Sequence, residues 1–190
     1  MVEFDLVAAD ELIARRIAGK RMDCAQGCAW CCHQLIVMTN RDDAIAMLRA
    51  ARAQLSTAEF HDFEIALREQ ATQISKMTHE EAETKHWTCP FLRDNSCSIY
   101  DLRPVACRSV TSPDASCCKA MMEAECFAEL SNGQQVVATE IGTRAMALQI
   151  EINDRRPITG AVEMRGLLVE LLDGSDDGRD SGLPRVVESE

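Results

Sequence analysis

The sequence predicts a mainly α fold, a small helical domain interrupted by two irregular segments rich in cysteine. Three observations point there. Alanine, leucine, glutamate and methionine, all good helix formers, dominate a chain with 46% apolar and only 4% aromatic residues. Apolar stripes recur at helical spacing, whereas strand-type alternation is hard to find. Cysteines and prolines concentrate in two stretches that lack any helical period.

At 190 residues the chain suits one domain with a short tail. Residues 1–172 are expected to form a single helical domain, with its cysteine core at about 20–120. Residues 173–190, rich in Asp, Gly and Ser, read as a disordered acidic tail.

A first helix is expected from Asp5 to Ala18, with Leu6, Ile13 and Ile17 on one face and Gly19 ending it. Lys20 to Met38 carries four cysteines and reads as a loop. A second helix should start near Asn40, where Thr39 and Asp42 have capping-box spacing, and run to about Gln54. Ser56 and Glu59 repeat that spacing ahead of a third helix, whose stripe is Phe60, Phe63, Leu67, Ala71 and Ile74. These two helices read as an antiparallel hairpin.

His86 to Pro113 holds the second group of cysteines, together with Pro90, Pro104 and Pro113, which exclude a long helix. A helix over about Ser116–Leu130 follows, closed by Asn132-Gly133. The helix from Gln134 to Asn153 has the cleanest stripe: Val137, Ile141, Ala145, Leu148 and Ile152. A short final helix covers about Ala161–Leu172.

The formal net charge of −11 argues against nucleic acid, whose binding rests on neutralising phosphates, and against anionic membrane surfaces. The N-terminus lacks the basic and apolar regions of a secretory signal, and no apolar run approaches a bilayer span. The expected location is therefore cytoplasmic, where thiols stay reduced. Ten cysteines in that setting read as metal ligands or redox groups rather than disulfides.

The first group is Cys24, Cys28, Cys31 and Cys32, followed by His33. Thiolates this close can converge on one ion if the backbone turns sharply, as Gly27 permits. Soft sulfur donors select zinc, copper(I) or iron–sulfur clusters over magnesium or calcium. Adjacent side chains usually diverge, so Cys31 and Cys32 are expected to take different roles. His33 reads as a neighbouring group rather than a donor.

The second group is Cys89, Cys97 and Cys107, too widely spaced to bind alone but able to complete a site begun by the first. Arg103 and Arg108 would offset the thiolate charge there. Trp30 and Trp87 are expected to shield the site from solvent. Cys126, placed inside a helix, reads as a small buried hydrophobe.

The motifs CAQGCAWCC at 24–32, CPFL at 89–92 and CSIYDLRPVACR at 97–108 resemble those of the YkgJ-type cysteine-cluster family. That family is described as zinc- or iron-chelating domains and is related to the flagellin lysine N-methylase. The resemblance spans about residues 20–120. It implies a metal-binding set of Cys24, Cys28, Cys31, Cys32, Cys89, Cys97 and Cys107, with Cys117 or its neighbour Cys118 as an eighth member. It implies no settled reaction.

Spacing leaves the metal open. Cys24/Cys28 and Cys28/Cys31 suit structural zinc, while closely spaced cysteines and Cys89-Pro90 also suit an iron–sulfur cluster. Seven or eight thiols exceed the four that one zinc needs, which favours a cluster or two centres.

The alternative is an enzyme related to protein lysine N-methyltransferases. Against it, no glycine-rich loop follows a strand to cradle an adenosyl cofactor. Cys24-x3-Cys28-x2-Cys31 also has the spacing of radical enzymes that use S-adenosylmethionine, but those resemble β/α barrels and this chain shows almost no strands. No nucleophile elbow supports a hydrolase.

Overall fold

Helix after helix in this chain begins at a polar side chain that folds back onto its own first turn. The structure, a computed structural model, describes residues 2–33, 36–124, 129–155 and 162–174. Helix α1 spans Val2–Ile17 and ends ahead of Gly19, whose φ of 74° breaks the helical path. It buries Leu6, Ala9, Leu12 and Ile13.

Helix α2, Arg41–Gln54, is capped by Asn40 rather than Thr39. The Asn40 side-chain oxygen accepts from the Asp43 amide at 2.9 Å, and its NH2 group donates to the Asp43 carboxylate at 2.9 Å. The cap therefore lies one residue beyond the Thr39/Asp42 spacing, because the carboxamide offers both a donor and an acceptor. Helix α3, Thr57–Ile74, opens on the expected Ser56–Glu59 capping box. A further Thr78–Glu81 box starts the short helix α4, His79–Glu83.

The expected α2–α3 hairpin is replaced by a three-helix arrangement. Helix α8, Met164–Asp173, packs on both, and its Leu167, Leu168 and Leu171 join Met47, Leu48, Phe63 and Leu67 in one core. A two-residue strand, β4 (Val162–Glu163), leads into α8 and pairs antiparallel with β1 (Met38–Thr39). This pairing draws the end of the described chain back beside the first cysteine loop.

Helix α5, Val105–Ser109, lies inside the second cysteine segment. It is short, as Pro104 at its start and the extended Val110 at its end require. Helix α6 covers Ala115–Glu123, so the expected helix to Leu130 stops at an extended Ala124. Cys126 lies outside the described residues. Asn132-Gly133 does not close a helix but opens α7, Asn132–Arg155. Gln134 accepts from the Ser131 amide through its side chain at 2.9 Å and gives its own amide to the Ser131 hydroxyl at 3.4 Å. Leu148 and Ile152 of α7 meet Leu12 and Ile13 of α1 and Val105 of α5 in a second, smaller core.

The final helix starts at Met164 rather than Ala161, because Glu163 caps it. It also takes in Asp173, which pairs with Arg68 at 2.8 Å. Of the expected tail, residues 175–190 lie outside the described residues. Among the described residues no helix is long and apolar enough to cross a membrane.

Candidate metal centre

Two backbone hydrogen bonds join the cysteine segments. The Trp87 amide donates to the His33 carbonyl at 3.0 Å, and the Cys89 amide donates to the Cys32 carbonyl at 2.7 Å. The first segment is held from its other end by the Asp23 amide, which donates to the Ser112 carbonyl at 2.9 Å. Between these ties Gly27 turns the chain at a φ of 92°, and Trp30–His33 form a single 3-10 turn against α6. The loop is fixed at both ends by later parts of the chain.

A hairpin shapes the second segment. Strand β2 (Leu92–Arg93) pairs with β3 (Ser96–Cys97) through a two-residue turn, with Asp94 and Asn95 both at positive φ. That left-handed pair matches the twist of the flanking strands, and Asp and Asn tolerate it better than most residues. The hairpin returns Cys97 to the neighbourhood of Cys89. The turn Tyr100–Leu102 and helix α5 then bring in Cys107.

The result is one cavity walled by Cys28, Cys31, Cys32, Cys89, Cys97 and Cys107. Its remaining lining includes apolar side chains of the main core, among them Met47, Phe91, Ile99 and Met164. Backbone amides support the sulfurs: those of Phe91 and Ile99 donate to the sulfurs of Cys89 and Cys97, each two residues back. Such N–H···S bonds favour the ionised ligand and orient it.

Desolvation pushes the Cys89 thiol up to about 11, and it also raises Cys97 and Cys107, whose neighbouring sulfurs add to the effect. Cys31 behaves oppositely. The Cys32 thiol donates to it, which lowers Cys31 to about 7 and raises Cys32. The one hydrogen bond thus moves the two adjacent sulfurs in opposite directions.

Arg103 lines the cavity and lowers Cys31, Cys97 and Cys107. Its guanidinium carbon stands 3.5 Å from the centre of the Tyr100 ring, and its Nε donates to the Tyr100 carbonyl at 3.0 Å. Arg108 does something else. It reaches Asp10 of α1 at 2.5 Å and the carbonyls of Asp101 and Arg103, and so ties α1 to this turn.

The second cation near the sulfurs is Arg165, which the sequence reading missed. It is fully buried, bonds Gln70 at 2.7 Å and Glu163 at 2.9 Å, and lowers Cys89. No motif marks it; only an arginine on the apolar stripe of a leucine-rich helix could have drawn attention.

Trp87 is buried beside the paired segments, its indole N–H on the Ala82 carbonyl at 2.8 Å. Trp30 is half-buried and faces Lys119. His33 bonds the Thr88 hydroxyl at 3.2 Å and does not line the cavity.

Cys24, Cys117 and Cys118 are not part of the cavity wall. Cys24 is exposed and its sulfur accepts from the Ser112 amide at 3.0 Å. Cys117 turns away, donating to the Gln134 carbonyl at 3.4 Å, whereas Cys118 sits within electrostatic reach of Cys28 and Cys31. Of the adjacent pair, Cys118 is the one directed at the first loop.

Among the described residues no three Cys, His, Asp or Glu side chains already stand at ion-holding geometry. Comparison with family models, curated proteins and solved structures finds no match for this chain.

Proposed function

We propose that this chain is a metal-binding protein that holds an iron–sulfur cluster or zinc through its clustered cysteines. The observation that carries this reading is the meeting of six thiols, from loops far apart in sequence, around one cavity. The donor chemistry fits. Thiolates are soft ligands, and four of them on a zinc ion leave roughly −2 of charge, which Arg103 and Arg165 stand close enough to offset. The amides of Phe91 and Ile99 would hold the Cys89 and Cys97 sulfurs as ligands. The apolar wall would exclude water.

When bound, zinc would clamp the two segments together, and a cluster would add one-electron chemistry. The number of thiols, larger than one zinc requires, supports the cluster. The motif resemblance to the YkgJ-type family supports metal chelation in either form.

The test is elemental analysis with an absorption spectrum of protein purified anaerobically, with iron and zinc both supplied. Bound iron with a broad visible band identifies a cluster, and a colourless zinc-loaded sample identifies zinc. Cys89→Ser should lower the metal content in either case. Protein that holds neither metal overturns the proposal.

A further inference from the structure

Cys31 stands where the cysteines of the central cavity meet Cys24 and Cys118. Cys31 lines the central cavity and also a groove between α6 and α7 that Cys118 lines, whereas Cys28 and Cys32 line the cavity alone. On the cavity side, Cys107 neighbours Cys32, Cys89 and Cys97, and all four also neighbour Cys31. On the other side, Cys24 and Cys118 lie within electrostatic reach of each other and of both Cys28 and Cys31.

The local architecture of the outer group resembles a ligand loop. Cys24, Cys28 and Cys31 are separated by three and two residues, the short spacing that lets sulfurs share one ion. The turn between them is closed by the Cys28 amide on the Ala25 carbonyl at 3.0 Å, and Gly27 supplies the left-handed step. Buried Ser112 holds two members at once: its amide donates to the Cys24 sulfur at 3.0 Å, and its side chain hydrogen-bonds Cys118. Cys118 projects from the opening turns of α6, whose Asp114 cap fixes their start.

We propose that Cys24, Cys28, Cys31 and Cys118 form a second soft-metal site, distinct from a deep site of Cys32, Cys89, Cys97 and Cys107. The inference rests on the reading that this chain binds metal through its cysteines, and divides those cysteines between two ions. Each ion displaces the protons of its four thiols and leaves them as thiolates. Cys117 belongs to neither site.

Cadmium is the probe, because it mimics soft divalent ions and its thiolate bonds absorb in the ultraviolet. Anaerobic, metal-free, full-length protein titrated with cadmium should bind two equivalents. Cys24→Ser/Cys118→Ser should bind one, and so should Cys89→Ser/Cys107→Ser. Alkylation of the cadmium-loaded wild type, counted by mass, should find eight protected thiols, a readout that does not depend on a variant folding. One equivalent in the wild type, or four protected thiols, overturns the two-site division while leaving metal binding intact. Loss of both equivalents in the Cys24/Cys118 variant, with its helical dichroism retained, also overturns it. A wild type that binds none overturns the metal reading itself.

Discussion

Burial and neighbouring sulfurs act on the thiols in one direction, and the hydrogen bond from Cys32 acts on Cys31 in the other. Cys89 is raised from the ordinary thiol value of 9.0 to about 11, and Cys24, Cys97 and Cys107 are raised as well. A raised thiol favours the neutral form in the folded chain. Its contribution to stability is complete below pH 9 and is lost as the pH climbs through the folded value. Cys31, lowered to about 7, contributes above 9 and loses that contribution as the pH falls through 7. The metal-free, reduced protein should therefore gain thermal stability from pH 7 to 9 and lose it from 9 to 11. Melting curves across that range check the claim, and a flat alkaline limb would contradict it. At this scale the sequence was informative where chemistry is dense. Six of the cysteines singled out in the sequence line one cavity, whereas Cys24 and Cys117, expected beside them, lie off its wall. Arg165 was not legible, because a buried arginine far along the chain gives no local sign of which sulfur it will face.

Capping explains most of what was legible among the elements. Ser56 and Glu59 form the box their spacing promised, with the Ser56 amide donating to the Glu59 carboxylate at 2.8 Å. Ser56→Ala should cost about 1 kcal/mol in urea unfolding, the usual effect of losing an N-cap. A change near zero would mean that α3 owes its start to packing alone. Where two polar residues compete for the cap, spacing misled: Asn40 displaced Thr39 because its side chain satisfies Asp43 from both ends. The β2–β3 hairpin was hidden for a different reason. Its strands are two residues each, too short for alternation to show, and only Asp94-Asn95 signals the turn.

For the whole molecule, helix α8 is the joint. Leu168 is fully buried in the core shared by α2, α3 and the cavity wall. Leu168→Ala should destabilise the chain by about 2–5 kcal/mol, through lost transfer energy and the cavity left behind. It should also speed alkylation of Cys89, whose neighbours Phe91 and Ile99 share that core. A denaturation midpoint within error of the wild type would show that α8 is not the joint. The apolar stripe of Phe60, Phe63, Leu67, Ala71 and Ile74 announced that α3 buries a face. It could not announce that α8 would cover it, since a stripe names a surface and not its partner.

The bond from Cys89 to the Cys32 carbonyl also bears on synthesis. A ribosome adding about 5–20 residues per second makes Cys32 roughly 3–11 seconds before Cys89. Through that interval the first loop is a chain of bare thiols, open to oxidants and to any stray copper. The β4 strand that clasps β1 arrives later still. The nascent chain is thus most vulnerable at the point where its chemistry is concentrated, and cells that make it quickly or in a reducing milieu have the advantage.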